Sequence, residues 1–515
     1  MKRRAVIVGA VLALLWANLP YLIGYINSTP QHRFGGFFLY EQDGYSYLAK
    51  MRQGAQGAWL FHLPYSSEET YRYGSAIYLF YLVLGKVPLD FTFLYHAARL
   101  IGSVALLWLL YRCLKRFIAD QRNLLITWWL VLFSGGWGLL ASYLIDQKYV
   151  PYELIAPDAT IFSILYGPPH IIVGGALFLA WSIYTLDSFQ ADRTRLPQRL
   201  IVANVLGGLT AITREAYAPA FAGIFGAYLI ARWWQRRALP WHEAIIVALS
   251  SIAAGAYGLY LVWAFHANPG LAAWSAQNPF ASPNPIDFLL GFAPLLLLAV
   301  IGLRPSPLLL SQSGRGTRAA QGEGLLLIAW LVVGPIMAYL PVEISRRLII
   351  GWQIPLCIFA AIGLQRLFEK RRVLGGLAVA AVLPTTVLII LGGSLRVSVP
   401  QPPLYITADQ QAALDWLNAH TTNQDVVLSD WRFGNLVPVF ADAHVFVGHP
   451  IETIDFKAKD AFTQRVFNST QPPADLSTTI AQWAITLIVA DTHRSVIALP
   501  IVFQHGSVVI YRAVR

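Results

Sequence analysis

The sequence predicts a mainly α protein: a polytopic bundle of membrane-spanning helices followed by a small C-terminal α/β domain. Three observations carry this. Apolar runs of 14 to 25 residues fill the chain from Ala5 to Leu395, and a bilayer core about 30 Å thick takes roughly 20 apolar residues per helical crossing. Short loops rich in Lys and Arg alternate with loops that are poor in base and carry carboxylates. Charged residues are 13% of the 515, against 56% hydrophobic, whereas soluble domains carry about 25% charge.

The net charge of +11 would suit a nucleic-acid binder. The bases, however, sit in loop clusters between apolar runs and form no single stripe, which excludes that class. Cys113 and Cys357 lie in or beside apolar segments and give neither a disulfide framework nor a metal site. Residues 1–27 open on MKRR and continue as one long apolar run without an A-x-A site. They read as a retained first helix, not a cleaved signal.

Each connecting loop is then placed by the rule that short cytoplasmic loops hold excess Lys and Arg. Basic loops 2–4, 112–122, 193–199, 232–237, 304–318 and 366–372 go inside; 27–72, 146–162, 214–219, 266–287 and 341–348 remain outside. With 73–111 crossing once, the count is about eleven net crossings. The expected protein is integral to the cytoplasmic (inner) membrane with its N-terminus inside. Residues 1–396 form the membrane domain and 397–515 an extracytoplasmic domain, with 400–403 (PQPP) as a stiff linker. In that tail, 407–420 reads as an amphipathic helix capped by Thr407. Segments 425–430, 444–449, 485–491 and 507–512 read as short strands with helical stretches between them, which predicts a largely parallel sheet.

Candidate chemistry gathers in the outer segments. In the first, Asp43 and Glu41 follow closely on the first span. Residues 45–52 can lie on the interface as a helix with Tyr45, Tyr47 and Leu48 toward lipid, and Trp59, Phe61 and Tyr65 are belt-type aromatics. Asp43 either caps that helix or serves as a general base at the membrane surface, and the two roles are compatible. In the second, Glu153 and Asp158 stand at the membrane mouth and His170 begins the next span. The two carboxylates could hold a divalent cation or align an acceptor hydroxyl. The plainer reading is a solvated loop, with Asp158 capping a helix from Ala159 and His170 a packed polar residue.

Five cationic or basic positions interrupt apolar surroundings: Arg346 and Arg347, Arg214 beside Glu215, and Arg99 beside His96. A charge in a span costs at least about 2–3 kcal/mol, so it usually has a partner and a task. Arg stays charged and grips phosphate bidentately, so an anionic lipid head group such as a polyprenyl phosphate fits. Snorkelling to lipid phosphates explains Arg346 and Arg347 equally well. In the tail, His449, Glu452, Thr453, Asp455, Lys457 and Lys459 cluster after a strand, where α/β sheets bind ligands. His449, Glu452 and Lys457 are the acceptor-side candidates, against the alternative of a polar turn and helix start.

Together these stretches resemble the GT-C membrane glycosyltransferases, in particular bacterial family 39-like proteins related to protein O-mannosyltransferases and lipid A aminoarabinose transferases. The resemblance rests on D-x-x-x-YL with a later G-x-W (Asp43, Tyr47, Leu48, Gly57, Trp59), YHAAR at 95–99, PD…F…PPH at 157–170, GLTAITRE at 208–215 and SRRLIIGWQIPL at 345–356. In the tail it rests on ALDWL…VVLSDW…GHP.ET at 413–453. It implies a glycosyltransferase of the cell envelope, moving a sugar from a polyprenyl-phosphate donor to a glycan, lipid or protein acceptor on the outer face. Asp43 would be the base or acceptor-positioning residue; where the family often has Asp-Glu, this chain has Asp43-Gly44, with Glu41 two residues before. The donor phosphate would meet Arg214, Arg346 and Arg347, with Arg99, His96 and His170 as further candidates. No cofactor is implied with certainty; a divalent cation, if used, falls to Asp158 and Glu153. A transporter or flippase of lipid-linked glycans would need polar residues at mid-membrane and internal repeats, and neither is evident. A non-catalytic envelope assembly protein is the third alternative.

Overall fold

The computed structural model describes residues 2–68, 73–278, 281–303, 317–469, 473–492 and 498–513. The basic loop 304–318 lies almost wholly outside the described residues.

Among the described residues, four helices are long and apolar enough to cross a membrane: Arg3–Ile26, Phe91–Phe117, Pro169–Ser188 and Pro285–Leu303. Three bent pairs bring the number to seven: Gln121–Phe133 with Gly138–Leu144, Trp241–Ser250 with Ile252–Ala267, and Arg372–Ala381 with Pro384–Ser398. Helices Leu196–Thr213, Tyr217–Arg236, Thr317–Ala338 and Gln353–Lys370 run 18, 20, 22 and 18 residues. Polar and charged residues near their ends, such as Arg199, Arg236 and Lys370, lower their hydropathy. By length and composition the described residues therefore give four to seven candidate crossings, fewer than the expected eleven or so. Region 73–111 holds the short helix Leu79–Gly85 and the first part of Phe91–Phe117, so only one long helix begins there.

The bends have local causes. Between Phe133 and Gly138, a Cβ on Gly136 would run into the backbone of Gly291; only glycine permits that approach. At the second break, Asn204 Oδ1 accepts the Ala253 N–H at 2.8 Å, satisfying a backbone donor that the break frees. Pro384 starts the helix after the third, since it cannot continue the previous ladder.

The chain forms two compact units. One comprises Met1–Leu19, His96–Leu259 and Phe280–Gly392; the other comprises Pro20–Tyr95, Tyr260–Pro279 and Gly393–Arg515. The second contains the expected tail domain, which shares its core with the first outer segment. Strands β1 (His32–Phe34) and β2 (Tyr405–Thr407) pair antiparallel. The remaining strands are β3 (Val426–Leu428), β4 (His444–Val445), β5 (Leu487–Asp491), β6 (Ile501–His505) and β7 (Val508–Arg512), in sheet order β4-β3-β5-β7-β6. Pairs β3–β4 and β3–β5 are parallel, while β5–β7 and β6–β7 are antiparallel.

The sheet is therefore mixed, where the sequence predicts a largely parallel one. The cause is the hairpin at Gly506-Ser507: a two-residue link can join only antiparallel strands, and Gly506 takes a left-handed φ of 51°. Side chains alternate across the sheet. Val427 and Ile510 face one core with Leu417 and Val437, and Leu428 and Val509 face another with Phe462 and Ile480. The helix Ala408–His420 has the expected Thr407 cap, as a full capping box with Gln410. Thr407→Ala is expected to lower stability by about 1 kcal/mol, read as a lower thermal midpoint in detergent; an unchanged midpoint contradicts the role of the cap.

The first outer segment corrects three expectations. Its helix runs Glu41–Ala55 with Tyr40 at the N-cap, so Asp43 lies in the first turn and not at the cap position; a carboxylate there still suits the helix dipole. Tyr45 and Leu48 are buried against Met51, Leu436 and Val437, not turned to lipid. Phe61 and Tyr65 are likewise core residues, and of the three proposed belt aromatics only Trp59 is exposed. An amphipathic stripe specifies an apolar partner, and here that partner is protein.

Candidate functional site

The helix Glu41–Ala55 carries Asp43, Ser46 and Lys50 at intervals of three and four residues, which places them on one face. That face meets the turn after β4. Asp43 Oδ1 lies 3.0 Å from His449 Nε2. The Asp43 side chain is 35% exposed and that of His449 2%, so the carboxylate can be reached from solvent and the ring cannot. Next to them, Glu452 Oε1 accepts from Ser46 Oγ at 2.6 Å and from Lys50 Nζ at 2.7 Å. Lys50 is fully buried, with its ammonium 4.2 Å from the centre of the Tyr78 ring and 5.3 Å from that of Tyr47. Burial alone would raise the Glu452 carboxyl; the Lys50 charge outweighs it and holds the group below the ordinary carboxylate range.

Tyr65 closes the far side. It is fully buried, donates to Asn435 O at 3.1 Å, and sets its ring 5.7 Å from that of His449. Burial pushes its phenol well above its usual range, so it remains a neutral donor. Glu41 is paired with Arg396 at 3.3 Å, and Lys459 with Glu68 at 2.5 Å; Lys457 is exposed. A cleft of ≈ 550 Å³ up to its open mouth opens on the same helix, lined among others by Gln42, Tyr45, Tyr405, Trp431 and Asn435.

Ser46 and Lys50 are functional-site residues that sequence reading misses. The signal is present as D-x-x-S-x-x-x-K at helical spacing, and it becomes legible once the helix is known to bury that face.

The other unit holds the second group of candidates. Asp158 is buried, and Thr160 caps the following helix Ile161–Tyr166 in its place. Its oxygens accept from Arg214 Nη2 at 2.8 Å and from Tyr217 OH at 2.5 Å. His170 Nε2 lies 3.5 Å from Arg214 Nη1. Arg214 and Asp158 thus neutralise each other. Glu153 is also buried, where a solvated loop is expected. Its Oε1 accepts from the Leu139 N–H at 3.1 Å and Thr385 Oγ1 at 2.7 Å, and burial raises its carboxyl. Arg99 donates to the carbonyls of Gly167 at 3.1 Å and Leu165 at 3.2 Å, and meets His96 Nδ1 at 3.2 Å. It satisfies the last carbonyls of a helix, a structural task. Arg347 pairs with the partly exposed Glu215 at 3.2 Å, and Arg346 shares its turn, Ser345–Ile349.

The donors for a cation are not assembled. The oxygens of Asp158 are taken by an arginine and a phenol, and Glu153 is locked elsewhere. No group of three or more His, Cys, Asp or Glu that could hold a metal ion occurs among the described residues. Neither carboxylate fits the divalent-cation role, and no step below uses one.

The fold matches solved structures. The Archaeoglobus fulgidus oligosaccharyltransferase tethered to an acceptor peptide containing an NVT sequon aligns with a TM-score of 0.53 at 14% identity, covering 94% of this chain and 69% of that one. Oligosaccharyltransferase AglB of the same organism, in complex with an inhibitory peptide and a dolichol-phosphate, aligns at 0.50 and 13%, covering 95% and 70%. ArnT from Cupriavidus metallidurans, bound to undecaprenyl phosphate, aligns at 0.46 and 13%, covering 96% and 97%. No protein-family model matches the chain, and neither does any curated protein sequence. The chain is an integral membrane protein, and it shares the fold of these oligosaccharyltransferases. Its activity has to be argued from its own side chains, because likeness at these identities extends to fold alone.

Proposed function

We propose that this chain is a membrane glycosyltransferase that moves a sugar from a polyprenyl-phosphate donor to an acceptor hydroxyl, with Asp43 as the base. The observation that carries the reading is a solvent-reachable carboxylate, Asp43, gripped by a buried histidine on an otherwise closed polar network. Asp43 takes the proton of the acceptor hydroxyl as the oxygen attacks the anomeric carbon. The bond from that carbon to the phosphate oxygen breaks, and the lipid phosphate leaves with the electron pair. Arg214 and Arg99 are committed to Asp158 and to backbone carbonyls, and Arg347 is paired with Glu215. AglB shares the fold and binds a dolichol-phosphate, which supports a polyprenyl carrier for the donor. The basic loops support a cytoplasmic-membrane protein with its N-terminus on the inner side and its tail outside, and so transfer on the outer face.

The test is transfer of label by isolated membranes from a panel of radiolabelled polyprenyl-phosphate sugars. Label should move from at least one donor only when the chain is present. Failure with every donor sinks the reading.

A further inference from the structure

Two nitrogens of one buried ring decide what His449 can do. Its Nδ1 accepts the backbone N–H groups of Ile451 at 3.1 Å and Glu452 at 3.2 Å. A nitrogen that receives two N–H donors carries a lone pair and no proton. The proton is therefore on Nε2, the ring is neutral, and Nε2–H donates to Asp43 Oδ1 across 3.0 Å.

The turn enforces this arrangement. Pro450 has no N–H and restricts its own φ, so the next two N–H groups are the first that can turn back on the ring. Glu452 N and Thr453 N also donate to the His449 carbonyl at 3.1 and 2.9 Å, and Thr453 Oγ1 accepts from Gly448 N at 3.1 Å. From outside the turn, Asn278 Nδ2 reaches Ile451 O at 2.6 Å and Gln277 Nε2 reaches Thr453 O at 2.7 Å. Tyr65 packs against the ring, and the Glu452 carboxylate is occupied by Lys50 and Ser46. A proton on Nδ1, by tautomerisation or by charging the ring, would confront two N–H groups with a third donor.

We propose that His449 is a positioning residue: a fixed neutral donor that orients the Asp43 carboxylate and is not itself a base. This deepens the proposed function and rests on Asp43 acting as the base there. The one unprotonated ring nitrogen faces its own backbone, away from any acceptor, and the ring is 2% exposed. Positioning matters because a misplacement of about 1 Å can cost about 100-fold in rate.

The experiment has a spectroscopic arm and a kinetic arm. In the full-length chain labelled with 15N-histidine, the signal assigned by its loss in His449→Gln should show a protonated Nε2 and an unprotonated Nδ1. The Nε2–H proton should shift on Asp43→Ala. A protonated Nδ1, a doubly protonated ring, or a proton indifferent to Asp43→Ala overturns the proposal. In the transfer assay, His449→Ala should lose about 100-fold in kcat with KM for the lipid donor changed less than about threefold. His449→Gln, whose amide can donate from the place of Nε2, should recover at least about a tenth of the wild-type kcat. Wild-type kcat in His449→Ala also overturns the proposal. The spectroscopic arm needs no turnover, so a wild-type chain that transfers from no donor defeats the function while the hydrogen bond is still decided.

Discussion

Asp43→Asn is expected to abolish sugar transfer, leaving about a thousandth of the wild-type rate or less, in a chain that still reaches the membrane folded. Asparagine keeps the shape of the side chain, and its Oδ1 can still accept from His449 Nε2 at the observed 3.0 Å. What it loses is the ability to take a proton. Positioned general bases contribute about 10²- to 10⁴-fold, and the oxygen of an unactivated hydroxyl is a weak nucleophile. Asp43 is 35% exposed, and asparagine is close to it in size and shape. The measurement is transfer by purified protein matched for monodispersity by size exclusion. Full activity in this variant would remove the central claim.

Lys50→Met is expected to cost about 3–5 kcal/mol of stability, because it strands a buried carboxylate. Glu452 Oε1 would keep Ser46 but lose its only cation at 2.7 Å, and its second oxygen already has no partner. Lys50→Met with Glu452→Gln together should recover most of the loss, since replacing both members of a buried pair is often near neutral. A double-mutant cycle on thermal midpoints measures the coupling. If the single variant melts like wild type, the pair is not a structural element.

The pH dependence has a definite sign. The Glu452 carboxyl is held below its reference value of 4.5 in the folded wild type. Its contribution is therefore complete above that value and is lost as pH falls through the lower, folded one. In Lys50→Met burial is the largest remaining influence, against the Ser46 hydrogen bond, and raises the carboxyl. That variant should be least stable at neutral pH and lose part of its deficit on acidification.

Much of this protein is legible in its sequence, for identifiable reasons. Hydropathy and basic loops predict about eleven helices, because bilayer thickness leaves little choice of length. Thr407 is readable as a cap because the box with Gln410 is local. Asp43 and His449 are each readable as candidates, but their meeting is not, since 406 positions separate them. Lys50 is passed over because a single lysine in an amphipathic stretch looks like a solvated residue. Tyr45 and Leu48 are assigned to lipid because an apolar stripe does not say whether its partner is acyl chain or protein. Arg99 and Arg214 look like phosphate ligands until Leu165, Gly167 and Asp158 are seen to satisfy them. The mixed sheet follows from a turn at Gly506 whose strand on one side, β6, reads IVFQH, with no apolar–polar alternation to mark it.

The pairing of β1 with β2, and the core that Leu48 and Met51 share with Leu436 and Val437, bear on how such enzymes diversify. The tail is not an interchangeable module. Grafting another tail after the last apolar helix would leave Phe34 on an open edge and deprive Asp43 of the histidine that aims it. New acceptor preferences by recombination therefore require the first hundred residues and the last hundred to be inherited as a matched set.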